Sequence, residues 1–140
     1  MKQSVLLNIR GRQAYDGQEP DVIELVTEGT MELCDGGWDI SYEETELTGM
    51  AGVTTTFRVE PGKVILRRTG KLNSEMVFQE GVRHESLYKL DFGALLMVVT
   101  AKQVYFDLVP DGGVIDLVYA IEIENSAAGI VDYHLDIRAM

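Results

Sequence analysis

The chain has 140 residues, 46% of them hydrophobic, at a mean hydropathy near zero, and reads as one soluble globular domain, 1–140, large enough to bury a core without disulfides. Twelve Lys and Arg stand against 23 Asp and Glu, a formal charge of −11 that removes the attraction behind most nucleic-acid affinity and repels anionic membranes. Cys34 is the single cysteine, which excludes an internal disulfide and suits a reducing cytoplasm, and the apolar run Val5–Leu7 is too short for a signal peptide or membrane span.

From Ser4 to Arg138 one β-segment follows another, with no convincing helix. Val5, Leu7 and Ile9 share the apolar face of the first strand, and Asp16-Gly17 with Pro20 form the loop after it. Asp35-Gly36-Gly37 supplies positive-φ positions for a tight reversal before Trp38. Trp38, Ile40 and Tyr42 then alternate with Asp39, Ser41 and Glu43, and Glu46–Gly52 is the longest stretch without a strand signature. Pro61-Gly62 fits the centre of a type II turn between strands Val53–Glu60 and Val64–Thr69.

Gly93–Val109 breaks the alternation, being apolar on both phases from Leu95 to Val99. Its β-branched content favours a strand, covered by the interior on one side and by another element or subunit on the other. Pro110-Asp111-Gly112-Gly113 is the expected turn between Val104–Val109 and Val114–Glu124, where Ile115, Leu117, Tyr119, Ile121 and Ile123 form an apolar row. Asn125–Gly129 is the last loop, and Ile130–Arg138 closes the chain with Val131, Tyr133, Leu135 and Ile137 opposite Asp132, His134, Asp136 and Arg138. An all-β chain with such regular turns closes most simply into a barrel or sandwich, and a barrel has an interior that can hold a ligand.

Four ordered stretches, together with Tyr119, resemble a family of small bacterial proteins, the YwiB-like proteins. They are WDISYEETELTGMAGVTTTF (Trp38–Phe57), RRTG (Arg67–Gly70), NSEMVF (Asn73–Phe78) and LYKLDFGALLMVVT (Leu87–Thr100). The chain departs from the family at Leu90-Asp91-Phe92-Gly93, where a Thr-Pro-Tyr-Gly-like turn is usual. The resemblance implies a single antiparallel, calycin- or lipocalin-like β-barrel of roughly eight to ten strands, a class that often holds small apolar molecules. It brings no established activity.

Two charges fall on apolar phases. Glu44 continues the row of Trp38, Ile40 and Tyr42, and Arg68 that of Val64 and Leu66, so both are expected at the lumen. An unpaired buried charge is costly, so the economical reading is a Glu44–Arg68 ion pair. The functional reading makes Arg68 the anchor of a ligand carboxylate or phosphate, with Tyr42 and Tyr88 adding hydrogen bonds.

Other constellations are weaker. Asp132, His134 and Asp136 share a strand face at metal-site spacing, with Asp116 or Glu122 as further ligand, yet solvated polar positions give the same pattern and no metal is expected. Cys34 with His84 or His134 offers a thiol and a base, but acidic neighbours raise a thiol pKa rather than lower it. Glu43 and Glu44 point to opposite faces, so Glu43-Glu44-Thr45-Glu46 reads as a solvated strand end, and Asp91-Phe92-Gly93 as a turn.

These readings favour a non-enzymatic barrel without cofactor, binding a small apolar or amphipathic acidic molecule. Its lumen is expected to be lined by Trp38, Tyr42, Glu44, Phe57, Arg68, Met76, Phe78 and Tyr88. The alternative is a barrel filled by its own side chains that serves as an interaction or structural module, its apolar strand Gly93–Val99 meeting a partner protein or a second copy as a homodimer. An enzyme would need a nucleophile or acid/base pair that the sequence does not assemble.

Overall fold

The computed structural model describes residues 2–14, 21–46, 51–71, 73–90, 93–124 and 126–140, with the backbone alone for 87–90 and 127–128. Asp16-Gly17, Pro20, residues 47–50, Asp91-Phe92 and Asn125 lie outside the described residues. The alternating segments become ten strands: β1 (Gln3–Ala14), β2 (Asp21–Cys34), β3 (Gly37–Glu43), β4 (Val53–Glu60), β5 (Lys63–Gly70), β6 (Ser74–Phe78), β7 (Arg83–Leu90), β8 (Gly93–Val109), β9 (Gly112–Ile123) and β10 (Ser126–Ala139). They form one antiparallel sheet in the order β6-β5-β4-β3-β2-β1-β10-β9-β8-β7, curled into a nearly closed barrel. Among the described residues there is no α-helix, and no helix long and apolar enough to cross a membrane.

Alternation decides the inside. Val5, Leu7 and Ile9 of β1 meet Ile40 of β3, Phe57 and Val59 of β4, Ile115 and Leu117 of β9 and Leu135 of β10 in one continuous core. Each such side chain contributes about 1.5–3 kcal/mol by leaving water.

The turns follow backbone chemistry. Asp35 and Gly36 both take positive φ, 49° and 78°, as a two-residue reversal between β2 and β3 requires. Gly62, at φ 79°, fits the third position of the expected type II turn. The β8–β9 reversal differs from expectation: Pro110 and Asp111 make the turn, whereas Gly112 and Gly113 already belong to β9. A Cβ on Gly113 would lie 2.0 Å from the Asp107 carbonyl oxygen, so the glycines are there for close backbone approach. The last strand also starts earlier than expected, at Ser126, with a register shift between Ala127 and Gly129.

β6 and β7 are consecutive but not hydrogen-bonded as a hairpin. A register shift at Ala101/Gln103 puts Lys102 outside the β8–β9 ladder, and the β6–β7 connection docks beside it. Gly81 N–H donates to the Ala101 carbonyl at 2.9 Å, and Glu80 bridges Ala101 in parallel. Of the doubly apolar run of β8, Val98 and Val99 are buried within the chain, and Leu95 to Met97 are partly exposed. Val99 belongs to the core. Val98, also buried, lies between Glu85 and Glu122 in the register. Arg83 bridges those two carboxylates at 2.8 and 3.3 Å.

Candidate functional site

The barrel is packed unevenly along its axis. Phe57 and Phe78 are fully buried, and with Val64 and Ile115 they fill one end. Towards the other end the inward row of β1 loses bulk, from Ile9 to Gly11, and a cavity of about 570 Å3 opens there. Its walls are Arg68 of β5, Met76 of β6, Met97 of β8, Tyr119 and Ile121 of β9, and Val131 and Tyr133 of β10. Gly11 to Gln13 and Asp21 to Ile23 form the rim. Such a volume lies within the usual range of small-molecule sites, roughly 300–1,000 Å3.

The chemistry at this end is one cation among phenols. Tyr42, Thr55 and Arg68 lie across β3, β4 and β5 on a single inward row. Thr55 donates to the buried Glu44 carboxylate at 2.8 Å, and Tyr42 donates to the same oxygen at 3.3 Å. The Tyr42 proton is thereby committed, so the 3.4 Å contact between hydroxyls makes Tyr133 the donor to Tyr42. Tyr133 also packs on Phe57, with centroids 5.7 Å apart, and Tyr119 on Phe78, at 4.5 Å. Burial drives the pKa values of Tyr42 and Tyr119 far above the usual phenol range and raises that of Tyr133; the Arg68 charge opposes the rise at all three.

Glu44 and Arg68 point inward as their phases imply, but they do not form the expected ion pair. Among the described residues Arg68 has no carboxylate within 4.0 Å, and its Nε is sealed from solvent without a hydrogen-bond acceptor. Thr55, which the register sets between Tyr42 and Arg68, spends its hydroxyl on Glu44, and the Arg68 side chain goes to the cavity wall instead. Of the eight expected lumen residues, Arg68 and Met76 line the cavity, and Tyr42 and Glu44 back it through Tyr133. Phe57 and Phe78 sit in the filled end. Trp38, opposite Val59, packs against the same core rather than the cavity. Tyr88 lies on β7, with its side chain outside the described residues. The sequence reading passed over Tyr119, Tyr133 and Met97; the inward glycine at position 11 was the available sign of where the lumen opens.

The remaining constellations resolve differently. Glu43 is exposed and Glu44 buried, as opposite faces demand. His134 pairs with Asp116 through Nδ1, and His84 with Gln79 at 2.7 Å, so neither serves Cys34 as a base. The Cys34 thiol donates to Asp39 at 3.1 Å, and this bond holds its pKa above the usual value. Glu32, Cys34 and Asp39 place potential metal ligands within 4.8 Å of one another, but the Arg58 guanidinium is already there, 3.3 Å from the thiol and 3.4 Å from Asp39.

Comparison with known proteins adds family and fold. Residues 7–137 match the family described as a domain of unknown function, DUF1934. A relative in Bacillus subtilis (strain 168), the "Uncharacterized beta-barrel protein YwiB", is 28% identical over 125 residues, which is 88% of this chain and 86% of the relative. The crystal structure of the ywiB protein from Bacillus subtilis superposes with a TM-score of 0.88 at 22% identity, covering 99% of this chain and 93% of that one. That likeness establishes a shared barrel.

Proposed function

Since the chain belongs to the DUF1934 family, whose description carries no activity, we propose a function from the geometry: the protein binds a small amphipathic anion in the open end of its barrel. The observation that supports this is Arg68. A guanidinium at a cavity wall, with Nε buried and unpaired, leaves a desolvation cost that a ligand carboxylate, sulfonate or phosphate would offset. Met76, Met97, Ile121 and Val131 would take the apolar body of the same molecule, and the thioethers adapt to its shape.

Two measurements test the reading. Native mass spectrometry of freshly purified protein, against its denatured mass, is expected to show bound material that departs on unfolding. Titration with the amphipathic dye 8-anilinonaphthalene-1-sulfonate is expected to saturate at one site and to weaken at least about tenfold in Arg68→Met, a difference of about 1.4 kcal/mol. Equal affinity in the variant and the wild type would refute the anchor.

A free sheet edge favours homodimerisation as a second reading. β2 pairs with β3 only from Thr30 to Cys34, so among the described residues 21–29 lack a partner on the side away from β1. Val22, Ile23 and Val26 on that segment are all more than half exposed. Light scattering across a concentration series would reveal a dimer that Val26→Lys dissociates; a monomer throughout would remove this reading.

A further inference from the structure

The seven arginines of the chain divide unevenly. Arg58, Arg67, Arg83 and Arg138 each have a carboxylate within 4.0 Å. Arg10, Arg12 and Arg68 have none among the described residues, in a protein with nearly twice as many acidic as basic side chains. Arg68 faces the lumen. Arg10 and Arg12 project from the outer face of β1, and the register sets Arg10 against Glu24 and His134, and Arg12 against Val22 and Asp132. These six residues line a groove of about 450 Å3 on the outside of the sheet, near the barrel mouth.

His134 is fixed in this groove. Its Nδ1 is engaged by Asp116 on β9, so Nε2 is the ring nitrogen left to the groove. Arg10 and Arg12 could have closed on Glu24 and Asp132, their direct cross-strand neighbours, and they close on neither. Two planar guanidinium forks therefore line one concave surface, neither spent on a carboxylate among the described residues.

We propose that this groove is a binding site for a phosphate group. A tetrahedral phosphate offers oxygens to both guanidinium forks at once, whereas a carboxylate has oxygens for one fork. The groove is larger than the ion, which leaves room for the body of a small phosphomonoester. The net charge of −11 slows the approach of an anion, but at physiological ionic strength that field is screened beyond about 8 Å, and contacts at the site decide affinity. The same charge disfavours nucleic acid as the source of the phosphate. Arg12 and Val22 also stand on the rim of the lumen, but Arg10, Glu24, Asp132 and His134 belong to the outer groove alone, and the proposal does not need a ligand at Arg68.

The test is a nuclear magnetic resonance titration of the full chain with inorganic phosphate and with glycerol 3-phosphate, using potassium chloride of equal ionic strength as control. Saturable shifts are expected at residues 10–12 and 132–134. The double variant Arg10→Gln/Arg12→Gln, altered only at exposed positions, is expected to lose at least about tenfold in affinity. Asp132→Asn, which removes a repelling carboxylate, is expected to bind more tightly, and Arg68→Met to bind as wild type. Tighter binding of glycerol 3-phosphate than of phosphate would identify an ester as the ligand, and equal binding the free ion. Shifts that fail to saturate, that potassium chloride reproduces, or that persist in the double variant would overturn the proposal.

Discussion

At the scale of single residues, Arg68 and Glu44 behave oppositely although both are inward charges. Arg68→Met is expected to leave the ligand-free protein as stable or about 1 kcal/mol more stable in urea denaturation, because it removes a cation whose buried Nε has no acceptor and which has no carboxylate within 4.0 Å among the described residues. An ion pair would give the contrary result, a loss of about 3–5 kcal/mol. Thr55→Val strips a donor from the buried Glu44 carboxylate and is expected to cost about 1–3 kcal/mol, read as a lower urea midpoint. The inward aim of both charges was legible in the sequence, since each continues an apolar alternation. Their partners were not. Tyr119 and Tyr133 belong to rows that alternation identified, but alternation gives the side of a strand and not the height along the barrel, which the stagger between strands sets. That Arg68 shares one cavity with the phenols of β9 and β10 has no local signal in Arg67–Gly70.

Among the elements, turn chemistry was readable where two residues do the whole work, as at Asp35-Gly36 and Pro61-Gly62. It misled at Gly112-Gly113, because glycine serves close backbone approach as well as reversal, and only the folded chain reveals the Asp107 carbonyl beside it. Gly113→Ala is accordingly expected to destabilise by more than about 2 kcal/mol, since the new Cβ meets backbone at a φ of 142°. β8 offers a similar lesson. Its doubly apolar run suggested a cover from outside, yet only Val98 and Val99 are buried, and Leu95 to Met97 stay partly exposed. Arg83→Ala is expected to cost up to about 1 kcal/mol, read as a lower urea midpoint, because one half-exposed side chain joins carboxylates on two strands.

For the whole molecule, three buried phenols set an alkaline limit on stability. Below the unfolded tyrosine pKa of about 10, folded and unfolded chains hold the same phenolic protons and stability does not respond. Above it the unfolded chain ionises while Tyr42, Tyr119 and Tyr133 stay protonated, so the unfolded state binds fewer protons and stability falls as pH rises. Each phenol contributes a slope of about 1.4 kcal/mol per pH unit, so thermal unfolding followed from pH 9 to 11 is expected to steepen sharply past 10. The strand order has a consequence for assembly. Every ladder joins strands consecutive in sequence except β1 with β10, where Val5 meets Ala139. Two meanders, β1–β6 and β7–β10, can each grow by short loop closures, but uniting them waits on one pairing that spans nearly the full chain. That long-range pairing is expected to limit the folding rate, and a chain in which it has not formed would leave β1 and β10 as raw edges open to aggregation.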